Sequence, residues 1–238
     1  MLLQSEHVKE QPQKTTTAPL ILYNHDASPP CCLVRIVADE IGVDLEKVLV
    51  VDIEKEMGTP ERLQINPQRT IPALVDNGLN IAESRAIVTY LVSKYAKDDS
   101  LYPKDLEKRV LVDQRLYFDQ DFYNAIMKVI GPAFSGKPLS QSDVDKVNNG
   151  LEILNRMLEG KQWLAGDNIT LADYATVVSL ASLEFNTKCG INPAKHANIA
   201  QWISRVEGSS AKVKENMKVF REAIKMYIEY FKNQMSQK

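Results

Sequence analysis

Three short segments of this 238-residue chain carry side chains able to act on a small ligand. The first is Ser28-Pro29-Pro30. A serine ahead of prolines caps a helix, and with the helix dipole behind it the same hydroxyl can donate to an anion. Ser28 is read as a hydrogen-bond donor, because stabilising a thiolate requires no partner base. The second is Ile71-Pro72. A cis bond there would turn the N–H and C=O of Ile71 outward, for antiparallel pairing with an extended ligand. The third is Glu83-Ser84-Arg85. A helix start with a capping hydroxyl suits a carboxylate, and the Glu83 side chain suits an ammonium group. Together the last two features describe a receptor for an α-amino acid head. Each segment alone has a plain structural reading as a cap or a turn, so the weight rests on all three sharing one edge of one fold.

The surrounding elements bring them there. Leu20–Tyr23 reads as a short strand. The helix opened by Ser28 carries Leu33, Val34, Val37 and Ile41 inward and stops at Gly42. Lys47–Ile53 is a β-branched run and is expected to form a second strand, parallel to the first by the crossover rule. Asn77-Gly78 is a type I′ hairpin signal between Ala73–Val75 and Leu79–Ala82. A helix from Ser84 then buries Ile87, Val88, Leu91 and Tyr95. The order β-α-β-(α)-β-β-α gives a mixed sheet, and such sheets present ligands at strand carboxyl ends.

Residues 98–104, DDSLYPK, break every period and mark a linker. An α/β unit over 18–97 thus precedes an all-helical unit over 105–238. In the latter, Val144, Val147, Leu151, Leu154 and Leu158 form one stripe, and Phe220, Ile224, Tyr227 and Phe231 another. Residues 1–17 are polar and aperiodic, and are expected to be a disordered extension.

Composition excludes several functions. Lys+Arg 29 against Asp+Glu 31 leaves a net charge of −2, which is not the basic surface of a nucleic-acid binder. No apolar run reaches the length of a membrane span. Cys31, Cys32 and Cys189 are too few and too badly spaced for a disulfide framework or a metal site, which points to a reducing, cytoplasmic setting.

The strings LYNHDASPPC, INPQRTIPALVDNG, ESRAIVTYL and WLAGDNITLADY, in that order, resemble cytosolic glutathione transferases from about Pro19 to Val219. The pattern is similar to the insect delta and epsilon classes, and Ser28-Pro29-Pro30 is nearer epsilon. The resemblance implies a thioredoxin-like α/β N-terminal domain and an all-α C-terminal domain. It implies a homodimer that uses glutathione as cosubstrate, without a cofactor or metal. Ser28 would hold the glutathione thiolate, and Ile71, ahead of cis-Pro72, would pair with the cysteinyl backbone. Glu83 and Ser84, assisted by Arg85, would hold the γ-glutamyl group. An apolar electrophile would lie between the domains, with Tyr117, Phe118, Phe122, Tyr123, Phe220 and Tyr227 as candidate walls. Thr170 and Asp173 match the family's capping box, a folding feature.

The sequence also departs from the pattern. Arg69 stands where these classes usually carry His facing the glycine carboxylate, and it can bind that carboxylate bidentately. Cys32 replaces an Arg often found there. Ser28 occupies the place of the first cysteine of a thioredoxin C-x-x-C, so thiol-based redox chemistry is disfavoured and Cys31 is read as a buried structural residue. Conjugation, with peroxides as a second class of acceptor, is therefore expected. A catalytically weak carrier of apolar ligands is the alternative.

Overall fold

The computed structural model describes residues 19–135, 137–185 and 189–236. The proposed extension over 1–17 and the side chain of Phe231 lie outside the described parts.

The first half builds a four-stranded sheet in the order β2-β1-β3-β4. Strand β1 (Leu20–Asn24) feeds α1 (Pro29–Ile41), whose return gives β2 (Leu45–Leu49) parallel to β1, from Leu20↔Leu45 to Asn24↔Leu49. Ser28 caps α1, and Gly42 ends it at φ 73°, where a residue with a side chain would be strained. Strands β3 (Ala73–Asp76) and β4 (Leu79–Ala82) form the expected hairpin, antiparallel to β1 through β3. Asn77 and Gly78 both have positive φ, as a type I′ turn requires. Helix α4 (Ser84–Tyr95) follows.

The expected strand Lys47–Ile53 is shifted. It runs from Leu45 to Leu49, because Asp52 caps a short helix, α2 (Ile53–Met57), accepting from the Lys55 N–H at 3.1 Å. Glu56 holds the same turn by accepting from the N–H groups of Val51 and Asp52. A second short helix, α3 (Pro60–Ile65), completes the segment that the sequence leaves irregular.

The second half is helical: α5 (Leu106–Ser135), α6 (Gln141–Met157), α7 (Leu171–Ala181), α8 (Ala197–Glu207) and α9 (Ala211–Ser236). Helix α7 is buried along its whole length. Asp173 receives the Thr170 N–H at 2.9 Å, the Leu164 N–H at 3.0 Å and the Trp202 Nε1–H at 2.8 Å, which ties its first turn to α8. Among the described residues, no helix is long and apolar enough to cross a membrane.

One apolar core runs through both halves, with α1 packed against α7 and α9. Asp39 and Glu40 sit at the carboxyl end of α1, where the helix dipole disfavours negative charge. Donors from the helical half offset this. Asn216 Nδ2 reaches Asp39 at 2.6 Å, and Ser210 Oγ and Tyr174 Oη reach Glu40 at 2.5 and 3.2 Å.

Candidate functional site

At the carboxyl end of β1 a tight turn leads into α1. Arg35, buried on α1, braces that turn. Its Nη1 donates to Asn24 Oδ1 at 2.6 Å and lies 3.4 Å from the Asp26 carboxylate, while Nη2 donates to the Asp26 carbonyl at 3.3 Å. Ser28 closes the turn, its N–H donating to the His25 carbonyl at 3.0 Å. Ser28 Oγ accepts from the Cys31 N–H at 3.4 Å, and its own hydrogen, which also reaches the Cys31 sulfur, can rotate about the C–O bond. The hydroxyl is half-buried at the edge of a cavity of about 320 Å³ between the two halves.

Thr70 and Ile71 form another wall of the same cavity. The Ile71–Pro72 bond is cis, and Pro72 is buried. Asn66, fully buried, holds the loop from beneath, donating to the Thr70 carbonyl at 2.9 Å and to its hydroxyl at 3.0 Å. Arg69 is exposed at φ 58° and is not among the residues that line the cavity.

The Glu83-Ser84-Arg85 segment differs from its sequence reading. The residue at the cap position is Glu83, exposed and at φ 65°, and its side chain makes no capping bond. Ser84 is the first residue of α4, and it is buried. Arg85 turns toward the helical half. Its Nε and Nη2 donate to Asp119 Oδ2 at 3.0 and 2.5 Å, and Nη2 also reaches Ser179 Oγ at 3.2 Å. Its remaining arm, Nη1, donates to Ser84 Oγ at 3.0 Å. Arg85 therefore holds Ser84 in place. Asp119 is fully buried; burial pushes its carboxyl up, and the Arg85 guanidinium pulls against that.

The six candidate aromatics separate. Tyr123 and Tyr227 line the cavity. Phe122 is buried, packs beside Phe118 at 5.6 Å between centroids, and leaves no room for a side chain at Gly150. Phe220 is fully buried and meets Phe185 edge-on. Tyr117 is 77% exposed, in a separate cleft with Glu83 and Arg85. Helix periodicity explains the separation on α5: Tyr123, Met127 and Ile130 form the stripe facing the cavity, while Phe122, Ile126 and Val129 face the core.

Residues 22–99 match the glutathione S-transferase N-terminal domain, and residues 122–210 match its C-terminal domain. A delta-class glutathione transferase of Nilaparvata lugens is 38% identical, with TM-score 0.78, covering 87% of this chain and 99% of its own. An epsilon-class enzyme from the housefly, Musca domestica, is 32% identical, with TM-score 0.79 over 89% and 98%. A glutathione transferase homologue from Drosophila mojavensis, solved with bound glutathione, is 35% identical, with TM-score 0.76 over 87% and 97%. This chain belongs to the glutathione S-transferase family.

Within this transferase the two neighbouring cysteines are set apart from the chemistry. Cys31 and Cys32 are fully buried, and burial pushes the Cys31 thiol up, against a hydrogen bond from Ser28. Cys32 is pushed up to about 12 by the same cause. Both therefore stay thiols at neutral pH.

Sequence reasoning missed several residues of the transferase's cavity. His25 lies inside LYNHDASPPC, three residues before Ser28, where a lone histidine gives no signal of its own. Val51 and Ile53 fall in the β-branched run whose propensity predicts a strand, whereas β2 ends at Leu49. Met127 and Ile130 were legible from the spacing to Tyr123. Phe185, in a 3-10 turn after α7, gave no periodic signal.

Proposed function

We propose that this transferase ionises the thiol of glutathione at Ser28 and delivers it to an apolar electrophile in the cavity between the two halves. A free thiol titrates near about 8.5, so it is mostly protonated at neutral pH. A hydroxyl donor backed by the amino end of α1 favours the thiolate, and each tenfold gain is worth about 1.4 kcal/mol. Ile71 offers its backbone to the cysteinyl residue, next to Pro72. Glu83 and Ser84 take the γ-glutamyl ammonium and carboxylate, with Arg85 orienting Ser84. Arg69 offers a cation for the glycine carboxylate. Glutathione is consumed as cosubstrate, and Tyr123, Tyr227 and Phe185 give the electrophile an apolar seat.

The observation that carries this reading is the single cavity shared by Ser28, Ile71 and those aromatics. Exposed Leu106, Val110 and Tyr117 along α5, of which Tyr117 lines the cleft of about 460 Å³ that holds Glu83, support a homodimer formed through this helix. The unpaired Cys31, Cys32 and Cys189 support a cytoplasmic setting.

Ser28→Ala tests the reading. Turnover with benzyl chloride should fall about a hundredfold, the usual cost of one anion-stabilising donor. The ultraviolet thiolate absorbance of bound glutathione should disappear. A carrier with little turnover would keep its apolar ligand affinity and show no thiolate band in the parent protein. A variant equal to its parent in both properties would remove Ser28 from the site.

A further inference from the structure

We propose that His25 is a specificity-determining contact. Its Nε2–H donates to the carbonyl oxygen of a conjugated acceptor, so the preferred electrophiles are α,β-unsaturated aldehydes and ketones. This rests on the reading of Ser28 given above. His25 lines the cavity with Ser28, on the same turn, and its carbonyl holds the Ser28 N–H at 3.0 Å. The Ala27 N–H donates to His25 Nδ1 at 3.1 Å, so the neutral ring carries its proton on Nε2. Among the described residues, no group accepts from Nε2. The ring is held edge-on against Tyr227, 5.8 Å between centroids. Burial lowers the His25 pKa below the ordinary value, Asp26 raising it and Arg35 adding to the lowering, so the ring is a neutral donor at physiological pH. A neutral imidazole N–H can polarise a carbonyl in this way.

The chemistry suits two groups that share one cavity. When the thiolate sulfur bonds to the β-carbon of an enone, the C=C π pair shifts toward the carbonyl carbon and the carbonyl π pair moves onto oxygen. That oxygen and the attacked carbon belong to one short conjugated unit, and His25 and Ser28 line one cavity. The hydrogen bond from Nε2 stabilises the enolate, the α-carbon takes a proton from water, and the carbonyl re-forms. The net change is addition of S–H across C=C. Displacement at a benzylic halide develops no such oxyanion and draws nothing from His25.

The test is the ratio of kcat/KM for benzylideneacetone to kcat/KM for benzyl chloride. His25→Phe should lower that ratio by about tenfold or more, and His25→Gln, which restores an N–H donor, should recover part of it. An unchanged ratio overturns the proposal, including the case where both substrates decline equally. The parent protein supplies a second readout, independent of folding in the variants. With isotope-labelled histidine, the His25 Nε2 resonance should move on binding the glutathione conjugate of benzylideneacetone, and not with S-benzylglutathione. Equal movement with both overturns the assignment. Ser28→Ala separates the two readings: loss of both substrates there, with an unchanged ratio in His25→Phe, would remove His25 alone.

Discussion

Helices α1 and α4 both begin at one edge of the sheet, after strands β1 and β4 that run in the same direction, yet they are built in different ways. The start of α1 is local. Ser28 caps it, prolines follow, and the turn is closed by bonds among residues 24–35. The start of α4 is borrowed. Its cap residue has positive φ and no capping bond, and its serine is held by an arginine that depends on Asp119, 34 residues away in the helical half. The end of the site proposed to activate sulfur is thus encoded within residues 24–35. The end proposed to hold the amino acid head exists only when both halves have folded together.

The contrast can be broken most forcefully at Asp119. Asp119→Ala leaves the Arg85 guanidinium without its buried partner, which should destabilise the protein by about 3–5 kcal/mol. The same variant should raise KM for glutathione, because Ser84 loses its brace. Urea unfolding and steady-state kinetics check both, and a KM equal to the parent's would show that Ser84 is positioned by its own helix.

A smaller effect is expected at the other end of α4. Asp76 accepts from Tyr90, Lys94 and Tyr95 at 2.5, 2.7 and 2.6 Å. Burial opposes its charge, but these donors, Lys94 first, hold its carboxyl well below the usual carboxylate range. Its contribution is complete above the unfolded value of about 3.9 and is lost as pH falls through the depressed folded value. Asp76→Asn should therefore lower the melting temperature at neutral pH, by less than Asp119→Ala does. The gap from the parent should close in strong acid. A gap that stays constant from neutral to acidic pH would show that the charge contributes nothing.

The smallest effect on stability belongs to Ser28, despite its large expected effect on turnover. Ser28→Ala removes one N-cap, worth about 1 kcal/mol. Calorimetry should find that small loss beside the hundredfold kinetic one, whereas a loss as large as that of Asp119→Ala would mean that α1 depends on its cap far more than its buried packing suggests.

The same contrast explains what could be read from the chain. The α1 start, its Gly42 stop and the Asn77-Gly78 turn are decided by neighbours in sequence, and all three were legible. Strand β2 was misplaced because Asp52 takes a helix-cap role that competes with β-branched propensity at Val50, Val51 and Ile53. Phe122 and Tyr123 are adjacent and chemically alike. Only the packing of α5 against Gly150 on one side and the cavity on the other decides which of them meets a ligand. Arg85 could not be assigned locally, since its partner lies in the other half.

The acidic carboxyl end of α1 has one further consequence. Asp39 and Glu40 are fastened by Ser210, Asn216 and Tyr174, on the flank of α1 far from Ser28. That clasp joins the two halves at the end of α1 remote from Ser28. If the cavity between the halves seats the proposed electrophile, this fastening would set its aperture from behind, and girth would limit what enters.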